Sequence, residues 1–201
     1  MRVPRQTRAQ RTRDSLVFHA RRLFAERGYA NTTAAAVTEA AEVSKGSFYS
    51  YFLNKDELLR EITREYLEDH HRRLLRLLRP VDPERDVEAQ TRERVRDIVV
   101  LVADHHRSAP ELHATITARR HANAEFDAFC LSYEEKHLGR LAQLLESLGF
   151  EGDPEATAFV LYTMVEGAMH THILSHGAVE DERLFGALID AVLKVIFRGR
   201  A

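Results

Sequence analysis

Polar and cationic side chains cluster between Ser44 and Lys55, directly after a run of small apolar residues. Hydroxyl, ammonium and phenol groups donate hydrogen bonds to phosphate oxygens and to the edges of nucleic-acid bases. Phe48 and Phe52 lie four residues apart in the same stretch, so both can face a core while the polar side chains stay outside. The spacing therefore predicts a short helix with one polar face. Its polar residues are Ser44, Lys45, Ser47, Tyr49, Ser50 and Tyr51.

Signals for two more helices surround this stretch. Thr32 or Thr33 can cap a preceding short helix that has a thin apolar face, and Ser44 can cap the polar helix. Asn54, with Glu57 three residues later, has the spacing of a capping box, which predicts the start of a long helix. The order is helix, tight turn, helix and new helix start, the arrangement of a helix-turn-helix motif.

The same run resembles the DNA-binding motif of the tetracycline-repressor (TetR) family. The matching positions are Thr33, Val37, Val43, Ser44, Gly46, Tyr49, Tyr51, Phe52, Lys55 and Leu58. The rest of the chain supports the resemblance only by its length and helical character. In two positions the chain departs from the family pattern: Glu42 stands where glycine is usual in the turn, and Thr38 where alanine is usual.

The resemblance assigns roles within the motif. The recognition helix, Ser44 to Tyr51, is expected to lie in the major groove of DNA. From side-chain chemistry alone, Lys45 is our candidate for reading base edges, with help from Ser47 or Ser50. Thr33, Tyr49 and Lys55 are expected to contact phosphates. Gly46 belongs to the same candidate DNA-binding set.

The charge distribution agrees with a DNA-binding head. Residues 1–55 contain eight arginines and two lysines against four acidic residues, a net charge of +6. Because the whole chain carries −2, the remainder carries −8. A basic head on an acidic body is the electrostatic pattern expected for a partner such as DNA. Residues 1–8 are expected to form a disordered basic arm, which either reaches the phosphates or has no specific role.

Composition indicates an all-α, cytoplasmic protein. The chain has 201 residues, 44% of them hydrophobic, with five prolines and few β-branched runs. No apolar run is long enough to span a membrane, and no secretory signal is expected. Cys130 is the single cysteine, which excludes an internal disulfide and is compatible with a reducing cytoplasm.

No catalytic or phosphate-binding motif is present, so we expect no enzyme activity and no cofactor. Two Glu-x-x-His runs, Glu68–His71 and Glu134–His137, have the spacing of helical di-iron sites. Helical geometry turns Glu68 away from the apolar stripe of its helix, so we expect no metal site.

Helical periodicity divides the chain into a helix-turn-helix domain at residues 9–55, with its motif at about 33–52, and a helical body at residues 56–201. The body is predicted to bind an effector and to dimerise, and the chain is expected to contain about nine helices. Its last two helices, 154–175 and 181–197, are rich in apolar residues on every side and have no later helix to cover them. A four-helix interface between two copies would bury them, and the alternative is that they form part of the core of a monomer. The residues assigned to that interface are Val160, Met164, Gly167, Ala168, Leu188, Val192 and Ile196.

The body also has polar and aromatic residues on inward faces, the usual composition of a small-molecule pocket. The candidate pocket residues are Tyr66, His70, His113, Phe126, Cys130, Tyr133, His137, Tyr162, Glu166 and Met169. Each could instead be a satisfied buried polar residue. Because Tyr66 and His70 lie on the helix that begins beside Lys55, a ligand pressing on them would tilt that helix and change the spacing of two heads.

The sequence thus predicts a homodimeric transcriptional regulator. By resemblance, it is a repressor released from an inverted-repeat operator by a small molecule. Two alternatives stay open: a regulator that activates or needs no ligand, and a helical metal- or ligand-binding protein with an incidental basic head.

Overall fold

The computed structural model of the chain describes residues 8–174 and 179–198, so most of the predicted basic arm lies outside the described residues. The described residues fold into nine α-helices with no strand, which confirms the predicted all-α class. The helices are α1 (Arg8–Arg27), α2 (Ala34–Ala40), α3 (Lys45–Tyr49), α4 (Lys55–Leu77), α5 (Val87–Ser108), α6 (Pro110–Ala122), α7 (Ala124–Ser147), α8 (Pro154–Leu174) and α9 (Asp181–Arg198).

The chain forms two compact units. The first unit comprises the chain up to Leu67 together with Glu111–Phe126, and the second comprises Glu68–Pro110 and the chain from Asp127 onwards. The division falls inside α4, whereas the sequence predicted a boundary near residue 55. The first unit therefore also includes α6, which a network of side chains around Asp56 joins to the start of α4.

Two short-range features and a set of buried apolar residues build the helix-turn-helix in the first unit. Gly28, at φ 77°, follows the last residue of α1 and ends the helix. Thr33 caps α2 by accepting a hydrogen bond from the amide of Ala36 at 3.1 Å. The apolar faces of the first four helices then meet in one core, which includes Leu16, Leu23, Phe24, Val37, Phe48, Phe52, Leu58 and Ile62.

The turn between α2 and α3 contains a left-handed residue that is not glycine. Glu42 has φ 54°, and its amide donates to the carbonyl of Glu39, while the amide of Val43 donates to that of Thr38. This pair of hydrogen bonds is a Schellman motif, in which glycine is the usual left-handed residue. The turn thus has the geometry that a glycine would favour, and Glu42 adopts it at a steric cost.

The start of α4 carries the predicted cap. The side chain of Asn54 accepts from the amide of Glu57 at 2.9 Å, and the carboxylate of Glu57 accepts from the amide of Leu53 at 2.5 Å. The second bond reaches one residue further back than in the standard capping box. Both bonds satisfy amides that the helix itself leaves open.

The second unit is built around α5, α8 and α9. Buried residues of these helices and of α7 form one core cluster, which contains Val95, Val99, Val102, Leu145, Leu161, Val165, Met169, Leu188, Val192 and Ile196. Gly149, at φ 69°, follows α7, and Asp153 caps α8 by accepting from the amide of Ala156 at 3.0 Å. Across the described ranges, no helix combines the length and apolarity that crossing a membrane would require.

Replacing Glu42 by glycine should stabilise the protein by about 1 kcal/mol, because glycine adopts a positive φ without the Cβ clash. The measurement is urea unfolding of the full chain. Glu42→Ala is the matched control, since alanine removes the charge but keeps the steric cost. Equal stabilisation by both variants would show that the charge, and not the backbone, is responsible.

Candidate nucleic-acid interface and ligand cavity

The polar face predicted between Ser44 and Tyr51 is present, but its helix is shorter than predicted. Helix α3 ends at Tyr49, and Ser50 follows as its C-cap. Phe48 is fully buried, whereas Tyr49 is 56% exposed. Most of the predicted DNA-binding residues are exposed: Thr33, Ser44, Lys45, Gly46, Tyr49 and Ser50, with Ser47 and Tyr51 partly exposed.

The hydroxyl groups on this face already have local partners. The hydroxyls of Ser44 and Ser47 lie 2.8 Å apart and share a hydrogen bond, and the hydroxyl of Ser50 donates to the carbonyl of Gly46 at 3.2 Å. Lys45 and Tyr49 are the long exposed side chains of α3. These two side chains therefore extend furthest from the helix toward any partner.

Lys55 does not fit its predicted role as a phosphate contact. Its ammonium donates to the carbonyls of Tyr29 at 2.6 Å and Thr32 at 2.9 Å, with the carbonyl of Ala30 at 3.5 Å. The ammonium also lies 4.1 Å from the centre of the Tyr29 ring. Burial lowers the pKa of this ammonium. Because an ammonium has only three N–H donors, Lys55 is a structural residue that closes the end of α1 onto the start of α4.

A network around Asp56 was not predicted from the sequence. The Tyr29 hydroxyl donates to one carboxylate oxygen of Asp56, and the Arg119 guanidinium donates to the other at 2.5 Å. Burial raises the pKa of the Tyr29 phenol, and the hydrogen bond to Asp56 raises it further by a smaller amount. The network joins α6 to the start of α4 within the first unit. No spacing rule links residues 29, 56 and 119, so sequence patterns gave no signal for it.

The second unit contains a cavity between its helices. The space open to the centres of water molecules is about 80 Å³, enough for several waters. The lining is almost entirely apolar. It consists of Leu74, Leu78, Val81, Thr91, Arg94, Val95, Ile98, Val99, Val102, His137, Leu141, Leu144, Leu145, Leu148, Leu161, Tyr162, Val165, Glu166, Val192 and Ile196.

Only three of the ten predicted pocket residues line this cavity: His137, Tyr162 and Glu166. The other seven assignments are corrected. Tyr66, His113 and Phe126 belong to the first unit. Met169 packs in the apolar core and Cys130 is buried outside the lining. The Tyr133 ring meets the His71 ring edge to face, and His70 lies 3.9 Å from Glu166 without lining the cavity. Inward-facing periodicity identifies buried residues but cannot separate a core position from a cavity wall.

Histidines and one carboxylate gather at one end of the cavity. The Nε2 atoms of His70 and His106 lie 3.9 and 3.7 Å from the two carboxylate oxygens of Glu166. The Nε2 atom of His137 lies 2.6 Å from Nδ1 of His71. We call Glu166, His70, His106 and His137 the polar corner. The sequence predicted three of its members, and His106 was missed because it lies on the otherwise apolar face of α5.

Burial changes the protonation of the polar corner. It lowers the pKa of His70 to about 4 and that of His137 to about 3, with neighbouring histidines and the cations Arg73 and Lys136 adding to the effect. It also lowers the pKa of His106 and, together with Glu134, raises the pKa of Glu166 to about 7. At neutral pH the imidazoles are therefore uncharged, and Glu166 is poised to gain or lose its proton.

Some residues assigned to a subunit interface face the interior of the chain. Leu188, Val192 and Ile196 are buried in the core of the second unit, so their assignment to the interface is corrected. These three assignments were wrong because the apolar stripe of α9 packs against α5 of the same chain. On α8, Met164 and Ala168 are partly buried, while Val160 and Gly167 are exposed. Phe159 and Val160 are more than half exposed and form an apolar outer patch on α8.

The first unit combines a basic, helix-turn-helix head with an exposed polar recognition helix, which defines a DNA-binding class of protein. Residues 18–62 match the model of the bacterial regulatory proteins of the tetR family. The chain is 32% identical over 77 residues to the transcriptional regulator UidR of Escherichia coli K12, covering 38% of each chain. It is 38% identical over 60 residues to the transcriptional repressor DhaR of a Mycobacterium, covering 30% of each.

A solved structure extends the likeness of fold to the whole chain. A regulator of Mesorhizobium loti assigned to the TetR family superposes with a TM-score of 0.72 at 18% identity, covering 96% of this chain and 98% of that one. Residues 18–62 therefore match the DNA-binding domain of the TetR family, and the chain as a whole shares the fold of that solved structure.

Lys55→Ala should destabilise the protein by about 2 kcal/mol, because it removes charge-assisted hydrogen bonds from partly buried carbonyls. Lys45→Ala is the matched control, since Lys45 is exposed and should change stability by less than about 0.5 kcal/mol. Urea unfolding measures both. Unchanged stability of Lys55→Ala, with weaker binding to DNA of any sequence, would restore the predicted phosphate role.

The stability of the chain should fall as the pH drops from 6.5 toward 4. The pKa values of His70, His106 and His137 are lower in the folded state, so the unfolded state binds more protons below pH 6.5. Glu166 opposes this, because its raised pKa adds stability as the pH falls from 7 to 4.5. The three histidines outweigh Glu166, so the free energy of unfolding decreases overall as the pH falls.

His70→Gln should reduce this pH slope by about 1.4 kcal/mol per pH unit between pH 5 and 6, the contribution of one proton. Urea unfolding at pH 5, 6 and 7 gives the slopes. The exposed residue His121 provides the control variant His121→Gln, which should leave the slope nearly unchanged. A wild-type slope in His70→Gln would contradict the assigned burial effect.

Proposed function

We propose that the protein is a cytoplasmic transcriptional regulator that binds double-stranded DNA through its first unit. The observation that carries the proposal is the exposed polar face of α3. This helix lies within residues 18–62, which match the family model, and residues 1–55 have a net charge of +6. Basic charge supplies sequence-independent affinity, and an exposed helix can enter the major groove. UidR and DhaR are named as transcriptional regulators and not as enzymes, which agrees with this role.

Within that interface we assign base reading to Lys45. Its side chain is exposed at the first position of α3, and the neighbouring serine hydroxyls are partly engaged by each other. Lysine can donate to the O6 and N7 acceptors of guanine. Tyr49 and Thr33 are assigned to phosphates, since Tyr49 is exposed and the Thr33 hydroxyl can still donate while it caps α2.

We propose that two copies assemble through the outer faces of α8 and α9. Phe159 and Val160 form the exposed apolar patch, Gly167 would allow close approach, and Val195 on α9 is partly exposed. A two-fold dimer presents two heads related by symmetry, which fits an inverted-repeat operator. Buried residues such as Leu188 instead pack in the core of each protomer.

We further propose that a small molecule enters the cavity of the second unit and releases the DNA, so that the protein is a repressor. The apolar lining with a few polar groups supports a ligand site, and DhaR is named a repressor. Helix α4 contributes residues to both units, so it is the covalent path along which a ligand could act on the head. The ligand shifts the equilibrium only by its different affinity for the two states.

Lys45→Ala should reduce the preference for the DNA upstream of the protein's own gene over unrelated DNA by about tenfold or more, the energy of one base contact. Competition gel shifts measure this ratio. The exposed Lys136 of the second unit provides the control variant Lys136→Ala, which should keep the wild-type ratio. Equal affinity of the wild-type protein for both DNAs would argue against a sequence-specific regulator.

Phe159→Glu should convert the dimer to a monomer and weaken operator binding, because it places a charge in the centre of the apolar patch. Sedimentation equilibrium gives the mass. Phe18 is similarly exposed, at 64%, but lies on α1, so Phe18→Glu should remain dimeric. A Phe159→Glu protein that stays dimeric would refute this interface.

A further inference from the structure

The buried imidazole of His106 has a fixed tautomer. Its Nδ1 atom lies 2.9 Å from the carbonyl oxygen of Val102, one turn earlier on α5, and because a carbonyl only accepts, Nδ1 carries the N–H group. Burial lowers the pKa of His106, so the ring is neutral at pH 7. In this tautomer Nε2 carries the lone pair, the electron pair with which a histidine binds a hydrogen-bond donor or a metal ion.

Two side chains of α8 lie beside Nε2 of His106. A carboxylate oxygen of Glu166 is 3.7 Å from it. Ring nitrogens of His106 and His170 lie within 4.8 Å of each other, and the two rings meet edge to face with 6.1 Å between their centres. Glu166 and His170 are four residues apart on α8, so they project from the same face of that helix. All three residues belong to the second unit.

The distance between His106 and Glu166 suits a shared metal ion better than a hydrogen bond. The heavy atoms of a hydrogen bond are at most about 3.2 Å apart, and these two atoms are 3.7 Å apart. Zinc binds nitrogen and carboxylate oxygen at about 2.0–2.2 Å, so two of its ligand atoms are about 3.3–4.1 Å apart. One ion therefore fits the gap. A small rotation of the partly exposed His170 would bring its ring into the same range.

The surroundings of these three residues also suit a metal ion. Metal-binding histidines usually donate their other N–H group to a carbonyl or carboxylate, as His106 does to Val102. Glu166 and His170 are partly exposed whereas His106 is 1% exposed, so an ion has a path from solvent to the buried ligand. None of the three belongs to the two Glu-x-x-His runs, and His106 lies on another helix, so sequence spacing gave no signal for this set.

We propose that His106, Glu166 and His170 bind a divalent transition-metal ion, zinc by the chemistry of the set, with a fourth position open to water. Two imidazoles and one carboxylate are a known zinc ligand set, and zinc sites with three protein ligands keep an open position. The ion displaces any donor that these side chains now contact, and it links α5 to α8. The inference does not depend on the proposed function, because ion binding is measured without DNA.

Zinc titration of the full-length, tag-free chain tests the proposal, after a chelator has removed bound metals. A fluorescent zinc indicator that competes for the ion gives the affinity. One Zn²⁺ per chain should bind with a Kd of about 1 μM or tighter. Mg²⁺ and Ca²⁺ prefer oxygen ligands, so about a thousandfold excess of either should not compete. Lack of saturable zinc binding, or competition by Mg²⁺, would overturn the proposal.

Two variants test the ligands. His170→Ala removes a partly exposed ligand, and Glu166→Gln removes the anionic oxygen while keeping the shape of the side chain, so each should lower zinc affinity at least about tenfold. His121, exposed on α6, provides the control variant His121→Ala, which should bind zinc as the wild type does. Thermal unfolding without metal checks that each variant folds. Wild-type affinity in either folded ligand variant would overturn the three-residue site.

Thermal unfolding with zinc gives an independent measurement. An ion that binds only the folded chain stabilises it by mass action, so zinc should raise the unfolding temperature of the wild type. The increase should be smaller in His170→Ala and unchanged in His121→Ala. Equal increases in all three proteins would show that zinc binds other histidines, and would overturn the assignment.

X-ray absorption at the zinc edge identifies the ligands directly. The zinc-loaded protein should show nitrogen and oxygen neighbours at about 2.0–2.2 Å, with the outer-shell scattering of imidazole rings. A sulfur neighbour at about 2.3 Å would instead place the ion at Cys130, the single cysteine. That result, or oxygen neighbours alone, would overturn the proposed site.

Discussion

The helix-turn-helix depends on a single ammonium group that closes two chain segments onto each other. Lys55, the first residue of α4, donates to carbonyls of the turn between α1 and α2 and lies against the Tyr29 ring. The neighbouring Asp56 accepts from Tyr29 and from Arg119 of α6. Because these carbonyls lie outside the helices, the partly buried ammonium supplies hydrogen bonds that no helix provides and fixes the entry to α2. The orientation of α3 within its unit follows from that attachment, together with the buried rings of Phe48 and Phe52.

In the second unit, polar groups beside the cavity lower the stability of the fold. His70 and His137 are buried close to the partly exposed Glu166, and Nδ1 of each makes no hydrogen bond, which costs free energy. A core built only for stability would replace these groups by apolar ones.

Local patterns predicted the local structure of this chain well. The cap at Thr33 and the start of α4 beside Asn54 follow from residue types a few positions apart, and the structure confirms them. Long-range partners were not predictable in the same way. The carbonyls that bind Lys55 lie more than twenty residues away, and periodicity cannot show whether the apolar stripe containing Val192 faces its own chain or a second copy. For the same reason the sequence found part of the polar corner but placed core residues such as Met169 in the pocket.

Selection of binding sites from a pool of randomised DNA duplexes tests the central claim most directly, because the operator sequence does not have to be known beforehand. The purified full-length chain should enrich an inverted repeat whose half-sites are about one helical turn apart, as a two-fold dimer of helix-turn-helix heads requires. Lack of any enriched sequence, or enrichment of isolated half-sites without two-fold symmetry, would contradict a dimeric, sequence-specific regulator.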